Sequence, residues 1–252
     1  MGKPLCMYFA SINRCKSWIS KLYSLKSYWR PRDAYGLFTL GAAAYIDAPD
    51  QNTASVFRVA SSYEEYYNLL KRDNKILLHN FSEIYSKLKL VIASYLSIPD
   101  DAISYSNSKA LPGFIIYTPS LEYQKTTTHI PHYDLPYKNL CWAKETHEYH
   151  FSPDPTQTLS FTLPLQLPTS SSSLRIWNLK RHQAAAMERD QLRSALKINN
   201  SKKYNYEIGK ILIHSGNDLH QVCPWKYFEN DSYRVTLQGH GLKIDDRWIL
   251  YL

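Results

Sequence analysis

Three residues of this chain have the types and the spacing of a metal-binding set. His132 and Asp134 are separated by one residue, and His220 follows much later in the chain. Two imidazoles and one carboxylate on one face of an octahedral Fe(II) ion leave three positions open for a co-substrate and dioxygen. Farther on, Arg234 and Thr236 offer a bidentate cation and a hydroxyl, which suit the distant end of a dicarboxylate. These residues predict an iron site beside a carboxylate-binding site.

Other histidines compete for the ligand positions. A His-x-Asp spacing is weak evidence by itself, because a chain with nine histidines can contain one by chance. His129 precedes His132 but has no carboxylate two residues later. His214 stands at the end of a predicted strand, where a structural role or a role beside a ligand is favoured over ligation. The preferred ligands are therefore His132, Asp134 and His220.

Sequence periodicity predicts helices first and short strands afterwards. Ser61 and Ser62 are N-cap residues for a helix to about residue 72, and a second helix is predicted from about 81 to 96, ended by Pro99. Short alternating segments then predict strands at 111–117, 159–167, 174–177, 209–214, 233–238 and 248–251, with a helical insert at 184–196. This order indicates a mainly β jelly roll or barrel with flanking helices rather than a Rossmann sheet.

The motifs along residues 35–252 resemble those of the Fe(II)/2-oxoglutarate-dependent dioxygenases, whose core is a double-stranded β-helix of the jelly-roll, cupin-like type. The resemblance is carried by Leu-Pro-Gly-Phe at 111–114, His-x-Asp at 132–134, Leu-Arg-Ile-Trp at 174–177, Gly-x-Ile-Leu-x-His-Ser-Gly-x-x-Leu-His-Gln at 209–221, Arg-x-Thr-Leu-Gln-Gly-His-Gly at 234–241, and Trp-x-Leu-Tyr at 248–251. It implies Fe(II), 2-oxoglutarate and dioxygen as cofactor and co-substrates, with ascorbate as a candidate reductant.

The same resemblance assigns roles to individual residues. It implies that the predicted triad ligates iron and that Arg234 and Thr236 bind the C5 carboxylate of 2-oxoglutarate, with Tyr117 as a further candidate for binding it. Cys141 and Trp142 follow the ligand loop and are candidates for the substrate cleft.

The reaction implied is oxidation of a C–H bond with release of succinate and carbon dioxide. Family halogenases have Gly or Ala in place of Asp134, so the carboxylate favours hydroxylation, with ring closure or desaturation left open. The expected substrate is a small metabolite or natural-product intermediate. The alternatives are a peptide or protein hydroxylase of the same family and a non-catalytic, cupin-like metal-binding protein.

The net charge of +8 is concentrated at the N-terminus. Seven Lys and Arg residues precede Asp33, the first acid, so the remaining chain carries only about +1. Without a global basic field, and with His240 where nucleic-acid demethylases of this family have a second arginine, no nucleic-acid partner is expected. No apolar run reaches the roughly 18 residues of a membrane span.

Residues 1–34 are predicted to be a basic amphipathic arm outside a single domain at 35–252. A helix packed on the outside of the domain is favoured over an organellar transit peptide, which has a similar composition. Four cysteines without metal-site spacing favour reduced thiols. The expected location is therefore cytoplasmic, or organellar if the arm is a transit peptide. The oligomeric state is left open.

Overall fold

The computed structural model describes residues 2–33, 36–47, 62–119, 131–134, 157–169, 172–197, 200–224 and 233–252. Within these ranges none of the helices is both long and apolar enough to cross a membrane. The strands there are β1 (Leu5–Tyr8), β2 (Arg30–Pro31), β3 (Leu37–Leu40), β4 (Ile103–Tyr105), β5 (Gly113–Tyr117), β6 (Thr158–Gln166), β7 (Ser173–Lys180), β8 (Ser201–Asn205), β9 (Lys210–Ser215), β10 (Asp218–Val222), β11 (Arg234–Ile244) and β12 (Arg247–Tyr251).

The helices in the described ranges are α1 (Ile12–Ser24), α2 (Ala44–Asp47), α3 (Tyr63–Leu96), α4 (Arg181–Ala185) and α5 (Arg189–Ala195), with 3-10 turns at Lys26–Tyr28 and Asp100–Ala102. Ser62 caps α3, as predicted, by accepting a hydrogen bond from the Glu65 amide. The two predicted helices are joined into one, and the helical dihedrals are interrupted only at Phe81. The predicted insert is split into α4 and α5.

In the described residues two sheets form the β structure, and all of their strand pairs except β4 with β12 are antiparallel. The larger sheet has nine strands in the order β1-β9-β6-β11-β5-β3-β2, with β12 beside β11 and β4 parallel to β12. The smaller sheet has the order β10-β7-β8. Strand β11 is central, because β6 pairs along one side of it while β5 and then β12 pair along the other. This mainly β arrangement confirms the predicted fold class.

The two faces of the larger sheet have different chemistry. On the helix-covered face, alternate residues of four strands enter the main apolar core, including Phe114, Phe161, Ile213 and Leu237. Successive side chains of a strand point to opposite faces. The residues between them therefore line the other face, towards the smaller sheet, and these are largely polar: Tyr117, Ser160, Thr162, His214, Arg234, Thr236, Gln238 and His240.

The basic N-terminal segment contributes to the main core. Strand β1 pairs with β9, and Ser11 caps α1 by accepting a hydrogen bond from the Arg14 amide. One face of α1 is buried at the spacing of helical turns, through Cys15, Trp18, Ile19 and Leu22. These side chains belong to the same apolar cluster as those of β6 and β11, so residues 2–33 share a core with the larger sheet.

A buried ion pair fixes the segment before α3. Both terminal nitrogens of Arg32 donate to the carboxylate of Asp47 at 2.6 Å, and the two side chains have no exposed area. Asp47 also accepts from the Ala43 amide at 2.8 Å, and Arg32 Nε donates to Thr39 at 2.8 Å. The bonds from Arg32 to Thr39 and Asp47 therefore tie β3 and α2 to the end of the N-terminal segment.

We expect Asp47→Ala to lower the free energy of unfolding by about 3–5 kcal/mol, because it leaves a buried guanidinium without its carboxylate. Urea denaturation measures this change. The control is Asp190→Ala, which removes an exposed ion pair with Arg193 at 3.7 Å and should leave the urea midpoint unchanged. An unchanged midpoint for Asp47→Ala would contradict a structural role for this pair.

Candidate metal centre and carboxylate pocket

Backbone hydrogen bonds hold the ligand loop against β10. The His132 amide donates to the His220 carbonyl at 2.9 Å, and the His220 amide donates to the His132 carbonyl at 3.0 Å. The Asp134 amide donates to the carbonyl of Gly216, in the turn between β9 and β10, at 3.0 Å. Three main-chain bonds therefore place the segment 131–134 beside the strand that carries the remote histidine.

The three predicted metal ligands come together. The ligand atoms of His132, Asp134 and His220 all lie within 4.8 Å of one another. Asp134 Oδ2 is 3.2 Å from His220 Nε2, and Asp134 Oδ1 is 3.8 Å from His132 Nε2. His220 is buried, whereas about half of the His132 side chain is exposed. Two imidazoles and a carboxylate that converge at one place, with one imidazole half exposed, fit a metal ion with open positions.

The second nitrogen of His220 is also accounted for. His220 Nδ1 lies 2.9 Å from the Asp218 carbonyl, which requires a proton on Nδ1 and leaves Nε2 as the nitrogen that faces Asp134 and His132. Metal-binding histidines commonly have such a carbonyl partner, which fixes the tautomer and the ring orientation. The local turn therefore prepares His220 for ligation through Nε2.

His214, the competing histidine, lies behind His220. Its ring centroid is 4.7 Å from that of His220 in an edge-to-face arrangement, and its Nδ1 is 2.9 Å from the Ser215 carbonyl. Among the described residues, the group with metal-ligand spacing does not include His214. The structure therefore places it next to a candidate ligand.

The electrostatics of the cluster favour an ionised carboxylate. Burial raises the pKa of Asp134, but the charges of His220 and His240 oppose this and hold the pKa well below its ordinary value. Burial lowers the pKa of His220, whereas the Asp134 carboxylate raises it, and the net pKa is raised. Burial and His220 together lower the pKa of His214 to about 3. An ionised carboxylate is the form that binds a metal.

Tyr133, between the two loop ligands, packs away from them. It contacts the apolar cluster of Trp177, Leu179 and Leu219 on the smaller sheet. The same cluster receives apolar residues of α4, α5 and the turns after them, namely Ala184, Met187, Leu192, Ala195 and Leu196. In an extended segment, residues i and i+2 share a side and the middle residue faces the other. The side chain between the two ligands therefore packs against the same apolar cluster as the helical insert.

Arg234 forms the centre of a second polar site, on the polar face of the larger sheet that lies towards the smaller sheet. Its side chain is completely buried at the start of β11, and Nε donates to Ser172 Oγ at 3.1 Å. The guanidinium lies between two aromatic rings, with its Cζ 5.1 Å from the Tyr117 centroid and 5.4 Å from the Tyr206 centroid. This sandwich restrains the plane of the guanidinium, which is the group that binds a carboxylate by two hydrogen bonds.

The other predicted residues of this pocket are near Arg234. Thr236 is buried on the same face of β11 and accepts a hydrogen bond from Gln238 at 3.0 Å. Tyr117 is the cross-strand neighbour of Arg234 on β5. Burial raises the pKa of Tyr206 to about 12, so its hydroxyl stays protonated. A buried arginine with the hydroxyl groups of Ser172 and Thr236 near it has the chemistry of a site for a carboxylate.

Four residues of these two sites were not predicted from the sequence: Ser160, Ser172, Tyr206 and His240. Ser172 lies in a segment that reads only as a turn, and Tyr206 follows a strand that has no clear alternation. His240 shares the even spacing of Arg234, Thr236 and Gln238, so alternation could have indicated it. The predicted alternatives His129, Cys141 and Trp142 lie outside the described residues.

No protein-family model and no curated protein matches the sequence. Among solved structures, the N-substituted L-amino acid dioxygenase from Burkholderia ambifaria AMMD, in complex with alpha-KG, aligns with 100% of this chain and 86% of its own, at a TM-score of 0.56 and 13% identity. A second structure of that enzyme gives the same values. The chain has the fold of this dioxygenase.

The predicted double-stranded β-helix core is thereby confirmed. AviO1 from Streptomyces viridochromogenes Tue57 is a weaker match, covering 96% of this chain and 90% of its own at a TM-score of 0.45 and 11% identity. At such identities the fold is what is shared, and one fold supports many activities. The activity has to be argued from the site residues.

We expect the protein to bind one divalent ion per chain and Asp134→Ala to weaken this binding by more than about 100-fold, beyond the effect of removing a residue that only supports a ligand. Anaerobic isothermal titration with Co(II) measures the affinity. The matched control is His182→Ala, which removes an exposed histidine of α4 and should change nothing. Equal Co(II) affinity of the Asp134 variant and the wild type would remove this site from consideration.

Proposed function

We propose that the protein is an Fe(II)- and 2-oxoglutarate-dependent dioxygenase that oxidises a C–H bond of a small metabolite or natural-product intermediate. The observation that carries the proposal is the pairing of a His-Asp-His set at the smaller sheet with a buried arginine, held beside two aromatic rings, on the polar face of the larger sheet. A protein that only binds a metal needs the His-Asp-His set but not the arginine. A buried arginine beside two aromatic rings is in addition suited to bind the carboxylate of a second, anionic ligand.

The spacing along the smaller sheet supports a ligand that reaches both sites. His220 pairs with Ile176 of β7, and Ser172, the partner of Arg234, precedes Ile176 by four residues. Four steps of a strand correspond to roughly 13 Å between backbone positions. The side chains of His220 and Arg234, together with a five-carbon dicarboxylate, are long enough to bridge this separation.

Each residue has a distinct role in this proposal. His132, Asp134 and His220 hold the iron, and Arg234 holds the far carboxylate through its two terminal nitrogens, with the hydroxyl groups of Thr236 and Ser172 beside it. When bound, iron and 2-oxoglutarate activate dioxygen and supply the oxidant for the substrate, with succinate and carbon dioxide as products. The protein orients these groups and excludes water.

The carboxylate of Asp134 favours oxygen transfer over halogenation. It occupies the position where a halogenase of the family has a small residue, and two of its neighbours within 4 Å are the histidines His132 and His220. Hydroxylation is the proposed reaction. Cyclisation and desaturation use the same iron site, and the substrate decides between them.

A peptide or protein hydroxylase is the second candidate of the same class, and a non-catalytic metal-binding protein is the alternative from another class. The non-catalytic alternative requires a metal but no 2-oxoglutarate. Adding 2-oxoglutarate to the anaerobic Fe(II) protein should produce a weak visible charge-transfer band, because the keto acid chelates iron at the open positions. A folded, iron-loaded protein without this band would support the non-catalytic alternative.

The role of Arg234 can be separated from that of the metal ligands. Arg234→Met roughly keeps the side-chain volume but removes the charge. We expect it to weaken the binding of 2-oxoglutarate by about 100-fold or more while the affinity for iron is retained. Titration of the charge-transfer band measures both affinities. The control is Arg175→Met, which changes a half-buried arginine that bonds Ser201. Unchanged 2-oxoglutarate affinity in Arg234→Met would refute its assignment.

The substrate class requires a direct screen. Succinate release from 2-oxoglutarate, measured with a library of small metabolites and in parallel with a peptide library, should rise above the uncoupled background only with a substrate. We expect the rise with small molecules. A rise confined to peptides would replace the proposed substrate class with the peptide alternative.

A further inference from the structure

His240 lies beside the carboxylate of the candidate metal site without belonging to the ligand set. It is on β11, on the same face as Arg234, and its strand neighbours are Ser160 of β6 and Tyr251 of β12. His240 Nδ1 is 3.1 Å from Ser160 Oγ and 3.8 Å from Asp134 Oδ2. Only 11% of its side chain is exposed, so the ring is held in place by its surroundings.

The geometry separates His240 from the ligands. The group whose ligand atoms lie within 4.8 Å of one another consists of His132, Asp134 and His220 in the described part of the chain. His240 approaches only the Asp134 member of that group within ion-pair distance. Asp134 Oδ2 thus lies between two histidine nitrogens, His220 Nε2 at 3.2 Å and His240 Nδ1 at 3.8 Å.

We propose that His240, oriented by Ser160, is a positioning residue that directs the Asp134 carboxylate towards the metal. An ionised carboxylate only accepts hydrogen bonds, and a lone pair on Nδ1 at this distance would repel it. The proton therefore belongs on Nδ1, where Ser160 Oγ at 3.1 Å is the hydrogen-bond acceptor and the Asp134 carboxylate, at 3.8 Å, is attracted electrostatically to the N–H group. This inference rests on the metal site of the proposed function but not on 2-oxoglutarate or on the reaction.

The backbone on the other side of Asp134 is equally constrained. The carbonyl of Gly216 accepts the hydrogen bond from the Asp134 amide, and this glycine has little room for a side chain. A Cβ atom there would lie 3.0 Å from Thr158 Oγ1 and 3.3 Å from both Ser160 Oγ and the Asp134 carbonyl. Ser160 therefore lies against both the turn that fixes the Asp134 backbone and the ring that we assign to its carboxylate. With its backbone fixed, Asp134 keeps only side-chain rotation, which the attraction between its carboxylate and the His240 N–H group restricts.

The test compares two substitutions of similar size, His240→Asn and His240→Leu. An Asn amide can donate a hydrogen bond from nearly the position of Nδ1, whereas Leu fills similar space without a donor. We expect His240→Leu to weaken Co(II) binding by about 10–100-fold and His240→Asn by less than about 3-fold. Anaerobic chelator competition measures the affinity, and circular dichroism verifies folding. His240→Phe is a second apolar variant in case His240→Leu does not fold.

The order of the variants distinguishes positioning from packing. If His240 only filled space in the sheet, the apolar variants would bind Co(II) like the wild type and Asn would be the more damaging change. Equal Co(II) affinity of the wild type and the apolar variants, or equal losses in Asn and Leu, would overturn the proposal. We also expect Ser160→Ala to weaken binding in the wild type but to add nothing in the His240→Leu background.

The failure of this inference is distinct from the failure of the proposed function. A protein that binds Co(II) but shows no charge-transfer band with Fe(II) and 2-oxoglutarate would refute the dioxygenase and leave the His240 comparison valid. A normal band in the His240→Leu protein, at the iron concentration that half-saturates the wild type, would refute the positioning role and leave the dioxygenase intact.

Discussion

The two backbone hydrogen bonds between His132 and His220 join parts of the chain that are far apart in sequence. They extend the smaller sheet by one bridge. This bridge places the two histidine backbones side by side and fixes the direction in which each side chain leaves the main chain. The third bond, from the Asp134 amide to the Gly216 carbonyl, then fixes the backbone from which the carboxylate projects. If the ligands were on an unpaired loop, metal binding would have to order the loop backbone, which costs conformational entropy. Here the loop backbone is already ordered by folding, so the ligands are preorganised.

The strict alternation of the larger sheet gives the same strands two tasks. Residues such as Phe161 and Leu237 bury apolar surface against α1 and α3, while their neighbours in sequence build the polar face. Along β11 this face presents Arg234, Thr236 and His240 in order, so the carboxylate pocket and the support of the metal site share one rigid element. A shift of register by one residue would exchange the core and the site together. The stability of the apolar core therefore protects the register of the site.

Local patterns in the sequence were sufficient to predict those elements that are determined by residues close together in the chain. The cap at Ser62, the alternation of β6 and the beginning of β11 all follow from residue types a few positions apart. The ligand set could be predicted because two of its members are two residues apart and the third follows the turn after a predicted strand. Strand β10 and residues Ser172 and Tyr206 could not be predicted, because pairing between distant segments decides them. The contact of His240 with Asp134 likewise depends on where the sheets meet, and the role of each site residue is still a prediction.

The packing of Tyr133 has a thermodynamic consequence for the helical insert. Because this tyrosine is bonded covalently to both loop ligands and packs against the same apolar cluster as the insert residues, the cluster couples the order of the loop to the order of the insert. Any free energy by which a metal favours the ordered loop also favours the docked α4 and α5, and by reciprocity a well-packed insert raises the affinity for the metal. The insert would then respond to metal loading although it supplies no ligand, and its mobility would be an indirect measure of occupancy.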